Sequence, residues 1–197
     1  TAKRRKLRQE MIMKNFIKEF RQYSKDNEKP YFFTEKEIQS SVNTALKFYS
    51  RKKPIIKQCD IDIVEGQKLY ALPEDYQTWY KGLEKYAIVG NCIVLKTGYY
   101  GTISFLYYAD RKITEIPESE LYLFYSFCYG DLLEKKALEM TEQGITDGNL
   151  KTMKLGRGLE LTFEDGKNGK EMILDMAKDK KQLFFDSIRG NIVGSWC

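Results

Sequence analysis

Between Lys6 and Tyr23 the apolar residues Met13, Phe16, Ile17, Phe20 and Tyr23 recur at spacings of three and four, which lays a single stripe along a helix. Polar Asn27, Glu28, Lys29 and Pro30 end it. Thr34-Glu35-Lys36-Glu37 follows as a capping box, in which the Thr34 hydroxyl takes an exposed amide and Glu37 reaches back. Ile38, Val42, Ala45, Leu46 and Tyr49 then predict a second amphipathic helix. Arg51, Lys52, Lys53 and Pro54 stop it, with cations where the helix dipole favours them.

The period then changes from 3.6 to 2. Cys59, Ile61 and Ile63 alternate with Asp60, Asp62 and Val64, and Glu65-Gly66 turns the chain into Lys68-Leu69-Tyr70-Ala71-Leu72, a strand–turn–strand unit that Pro73 breaks. Further strands are predicted at 86–89, 92–96 and 102–108, the first two joined by a tight Gly90-Asn91 turn. Connections this short imply an antiparallel meander of about four or five strands.

Pro117 opens a third helix that runs from Glu118 to about Met140 and is apolar on most sides between Leu121 and Leu133; such a helix is buried by its own chain or by a partner. Residues 144–169 carry six glycines and few core candidates, which predicts a long exposed excursion with a short hairpin near 159–163. Asn168 with Glu171 starts a fourth helix through Ile173, Met176, Ala177, Phe184 and Ile188. The expected fold class is α+β: helices flanking a small antiparallel β-meander, with a long loop excursion and a C-terminal helical arm. The corresponding division is a core over 1–143, the Gly-rich excursion over 144–169, and a C-terminal helix and tail over 170–197.

The chain has 197 residues, 42% of them hydrophobic and 14% aromatic, enough apolar material for a folded core. Its net charge is +5. Part of the excess sits at the start of the chain in Lys3, Arg4, Arg5, Lys6 and Arg8, a run that can face DNA by neutralising phosphates, although basic runs are commonly solvated ends. No histidine is present, which excludes Ser–His–Asp and Cys–His designs and His-containing zinc sites. Cys59, Cys92, Cys128 and Cys197 form no CxxC pair and read as free thiols of a reducing compartment. No run of about 20 uncharged apolar residues offers a membrane span, and a soluble protein made in the cytoplasm is expected.

Three patterns invite chemistry. Asp60 and Asp62, two apart on a strand, share a face and could hold a cation; without a third ligand they fit the solvated face of an edge strand better. Gly166-Lys167-Asn168-Gly169-Lys170 suggests a phosphate loop, but Glu171 stands where the Ser or Thr hydroxyl belongs. Tyr99, Tyr100, Tyr107 and Tyr108 could stack bases, yet Tyr107 and Tyr108 must face opposite sides of a strand. No catalytic set, cofactor site or metal site converges, and no enzyme is expected.

The stretch Gly66-Gln67-Lys68-Leu69-Tyr70-Ala71-Leu72-Pro73-Glu74-Asp75 places a glycine turn before Tyr-x-Leu-Pro-x-Asp, and Phe105-Leu106-Tyr107-Tyr108-Ala109 supplies an aromatic strand before a proline-initiated helix. With the upstream helix of Ile38, Ala45 and Leu46, this pattern resembles the head–tail adaptor (connector, neck) proteins of tailed bacteriophages, over Thr34 to about Met140. Two features depart from it: a longer N-terminal helix and the Gly-rich excursion. The resemblance implies a virion neck protein that forms a homo-oligomeric ring, twelve-fold like the portals of tailed phages. Such a ring binds the portal protein, docks tail or nozzle proteins, and extends the channel through which double-stranded DNA passes without sequence reading; no membrane is involved. In adaptors of this kind a C-terminal segment commonly anchors the ring, a role that falls here on Phe184, Ile188, Ile192, Val193 and Trp196. The competing expectation is a small nucleic-acid-binding regulator that uses the basic N-terminal helix.

Overall fold

The computed structural model describes residues 2–96, 100–142, 152–154, 160–162 and 169–189, and for 2–6, 8, 9, 140–142, 152–154 and 160–162 the backbone alone. The fold is α+β. It divides into two units, one of residues 1–46 with 113–197 and one of residues 47–112. This division differs from the sequence-based one: the block 1–143 is split, and the fourth helix belongs with the first.

The first unit holds α1 (Ala2–Ser24), most of α2 (Glu35–Lys52), α3 (Leu121–Glu142) and α4 (Gly169–Arg189). The capping box ahead of α2 forms as expected, with the Thr34 amide donating to Glu37 Oε2 at 2.7 Å and the Glu37 amide donating to Thr34 Oγ1 at 3.3 Å. On α1 the stripe buries Phe16, Ile17 and Phe20, while Tyr23 stays partly exposed; the Phe16 ring lies 4.8 Å from that of Tyr125 on α3. Pro117 precedes a 3-10 turn, Glu118–Glu120, before α3 proper begins.

Within this one chain α3 buries Leu123, Phe124, Phe127, Cys128, Tyr129, Leu132, Leu133 and Ala137. Most of its apolar surface is therefore covered within the chain, each large buried side chain contributing about 1.5–3 kcal/mol, while Tyr122 and Leu138 stay exposed. α4 supplies much of the cover. A Cβ at Gly130 of α3 would stand 2.5 Å from the Ala177 carbonyl oxygen of α4, so only glycine lets the helices approach this closely. The Ser126 hydroxyl donates to the Lys180 carbonyl at 2.9 Å, and Lys181 pairs with Glu134 at 2.7 Å.

The second unit contains two three-stranded antiparallel sheets. β1 (Ile55–Asp62) and β3 (Tyr76–Lys81) flank β6 (Thr102–Ala109), while β2 (Leu69–Ala71) and β4 (Ala87–Val89) flank β5 (Cys92–Val94). The Gly90-Asn91 hairpin joins β4 to β5 as expected, with Gly90 at φ +60. The turn at Glu65-Gly66 does not make a hairpin of its flanking strands; it carries the chain from one sheet to the other. β1 alternates over eight residues and needs a partner of equal length, which β6 supplies in a register from Ile55↔Ala109 to Asp62↔Thr102. β2, cut short by Pro73, pairs instead with β5. The core consists of Tyr70, Leu72, Leu83, Ile93, Leu95, Ile103, Phe105, Tyr107 and Ala109.

Of the Gly-rich excursion, β7 (Thr152–Lys154) and β8 (Glu160–Thr162) form an antiparallel pair. Its last residue, Gly169, begins α4, and its other residues lie outside the described ones.

Candidate functional site

The stretch that carries the adaptor resemblance is a closely bonded part of the second unit. Tyr70 and Leu72 are buried, and the Tyr70 hydroxyl accepts from the Val64 amide at 2.7 Å and donates to the Val64 carbonyl at 3.1 Å, which clamps the turn between the sheets. The Leu72 amide donates to the Asn91 carbonyl at 2.9 Å. Beyond Pro73, the Asp75 carboxylate accepts from Lys57 Nζ at 2.8 Å and from the Tyr107 hydroxyl at 3.0 Å. Partial burial would raise the pKa of Asp75, but these two donors outweigh it and hold the carboxyl below its ordinary value. In the same cluster burial, the Asp75 hydrogen bond and its charge push Tyr107 up to about 12. Asp75 is thus a junction of β1, β6 and the Leu-Pro turn.

The other expected chemistry resolves into structure. Asp60 and Asp62 lie on the exposed face of β1, opposite the Cys59 and Ile61 face. Asp62 accepts from the Thr102 hydroxyl at 2.8 Å, and Asp60 accepts from the Gln58 amide at 3.1 Å. Among the described residues no three His, Cys, Asp or Glu side chains lie close enough to share a metal ion. Tyr107 is buried and Tyr108 half-buried on the other face, while Tyr100 is almost fully exposed, so these form no common platform; Tyr99 lies outside the described residues, as does residue 166–168 of the glycine loop. Cys59, Cys92 and Cys128 are free thiols. Burial pushes Cys128 up to about 12, which keeps it protonated and unreactive. No helix among the described residues is long and apolar enough to cross a membrane.

The residues expected to dock a portal divide in two. Phe184 is fully buried and Ile188 nearly so. The Phe184 ring sits 5.6 Å from Phe124 and 4.9 Å from Phe127, both on α3. These two residues hold α4 in place and are not available to a partner, which corrects the expectation drawn from the α4 stripe. Ile192, Val193 and Trp196 lie outside the described residues.

The basic run lies on the first turns of α1, where Lys3, Arg4, Arg5, Lys6 and Arg8 are all helical. The whole of α1 holds eight cationic residues against two acidic ones, a surplus of six that exceeds the +5 of the entire chain. The rest of the protein is therefore close to neutral, and the excess charge is a property of a single helix.

The cations of α1 differ in use. Arg21 is withdrawn: it is buried, pairs with fully buried Asp26 at 2.7 Å, and stacks its guanidinium 3.6 Å above the Tyr31 ring. Asp26 also accepts from the amides of Phe32 at 2.8 Å and Phe33 at 3.2 Å, so one carboxylate ties the end of α1 to the loop before α2. Lys14 and Lys18, by contrast, are exposed. They line an open groove of about 490 Å³ together with Arg21, Gln22, Asn27, Tyr31 and Glu35. Sequence reading passed over both lysines because they are isolated along the chain; the signal was their four-residue spacing on the helical face opposite Phe16 and Phe20.

Compared with known proteins, the chain matches no protein-family model and no curated protein.

Proposed function

We propose that this chain is a structural subunit of the head–tail adaptor type, which assembles as a ring beneath a phage portal, extends the DNA channel and receives tail components. The observation that carries the proposal is the 66–75 stretch together with β6: the residues of the resemblance, Tyr70, Leu72, Asp75, Phe105 and Tyr107, are also those that hold the second unit together. Two further features support it. Ile56, Trp79 and Tyr80 of β1 and β3 are large and exposed, as subunit contacts in an assembly require. The surplus charge of α1 suits a surface that a polyanion passes along, because phosphate contacts position DNA without reading it. The same charge favours the second reading, a small nucleic-acid-binding regulator, over any third.

The anchor falls to the tail, since Phe184 and Ile188 are core residues. Removing 191–197 is expected to leave the melting temperature within about 2 °C of the full chain, as an anchor serves the partner contact and not the fold, and to abolish attachment to portal rings in a pull-down. Truncated subunits that load onto portals normally would show that the tail is no anchor.

A further inference from the structure

We infer that Lys14 and Lys18 form a second phosphate-contacting point on α1, so that the backbone of duplex DNA runs along the helix from its basic start to the groove beside Asn27. The inference rests on the reading that Lys3, Arg4, Arg5, Lys6 and Arg8 face DNA, and extends that surface to residues in the middle of the helix.

Three observations carry it. By helical register Arg4, Lys14 and Lys18 share one face of α1, the one opposite the buried Phe16 and Phe20. At a rise of ~1.5 Å per residue that face spans about 21 Å from Arg4 to Lys18, which along the duplex axis is the length of about six base pairs at ~3.4 Å each. Next, neither lysine is held in an ion pair among the described residues, whereas Arg21, one turn on, has its charge consumed by Asp26. Like charges four apart on a helix repel, and a phosphate lying between Lys14 and Lys18 relieves that repulsion. Finally, the groove they edge continues into Gln22 and Asn27, neutral donors suited to phosphate oxygens. Glu10, exposed one turn before Lys14, separates the basic start of the helix from this pair, so Lys14 and Lys18 make a contact point distinct from the N-terminal one. None of these contacts reaches a base edge, so binding is indifferent to sequence.

The test is fluorescence anisotropy of the full chain with two unrelated 30-bp duplexes across a salt series. Lys14→Gln with Lys18→Gln is expected to weaken binding at least tenfold at 100 mM salt, equally for both duplexes. It is also expected to lower the slope of log K against log salt by close to two, at about 0.9 per lost phosphate contact. Lys178→Gln, an exposed lysine of α4, is the control and leaves both unchanged. An unchanged slope in the double variant overturns the inference; if Arg4→Ala with Arg5→Ala and Lys6→Ala still lowers it, the N-terminal contact stands alone. A wild-type chain that ignores both duplexes, or prefers vesicles containing phosphatidylserine, overturns both contacts. Loading onto portal rings is read separately, so a failure here leaves the adaptor proposal to its own test.

Discussion

Phe184→Ala is expected to destabilise the protein by about 3–5 kcal/mol, the range for truncating a large aromatic side chain in a core that cannot collapse around the gap. The ring is fully buried, and Phe124, Phe127 and Phe185 surround it at centroid distances of 5.6, 4.9 and 5.6 Å. Collapse is hindered because Gly130 and Ala177 already hold α3 and α4 at backbone contact nearby, so the helices cannot move closer to fill the space. Urea unfolding followed by far-UV circular dichroism measures the loss. The result separates two roles for α4. A docking residue replaced by alanine leaves stability intact and weakens a partner contact, whereas the burial seen here requires the reverse. A Phe184→Ala protein as stable as the original would contradict the α3–α4 core described above.

Asp26→Ala is expected to cost a similar amount, about 3–5 kcal/mol, for a different reason. Removing one member of a buried ion pair strands the other: Arg21 keeps its charge in a site 7% exposed without the carboxylate that compensates it. The amides of Phe32 and Phe33 lose their acceptor at the same time, and each unsatisfied buried donor adds to the penalty. Replacing the pair together, Arg21→Met with Asp26→Ala, is expected to recover part of the loss by removing the stranded charge. The double-mutant cycle by denaturant unfolding checks this; additive losses would show that the pair is not coupled.

These two sites show where sequence reading stops. The α4 stripe was legible from Ile173, Met176, Ala177, Phe184 and Ile188, all buried except half-buried Met176. A stripe reports that something covers it, however, and not what. Here α3 does, so a face read as a portal surface proved to be core. The Arg21–Asp26–Tyr31 cluster left no signal, because an arginine and an aspartate five residues apart at a helix end look like ordinary solvated charges. Only the fold brings Phe32 and Phe33 amides onto the same carboxylate. Local signals fared best. The Thr34 cap and the Gly90-Asn91 turn depend on residues at most three apart, and both formed as expected. Strand partnership fared worst, since the pairing of β1 with β6 joins residues from Asp62↔Thr102 to Ile55↔Ala109, far apart in the chain, and follows from matching lengths and alternation that become apparent only when all strands are compared. Asp75 lies between these cases. Its position after Leu-Pro marked a turn, but its bonds to Lys57 and Tyr107 come from strands 18 and 32 residues away.

The adaptor proposal is tested most directly by gel filtration with in-line light scattering of the chain, alone and mixed with assembled portal rings. Alone, the subunit is expected to run as a monomer or a weakly associating species, since α3 and α4 cover most of their apolar surface within one chain. With portal it is expected to shift into the portal peak with a mass matching one adaptor ring per portal. A stable dimer whose elution does not change when portal is added, and which protects one specific DNA sequence, would contradict the adaptor reading and support the regulator.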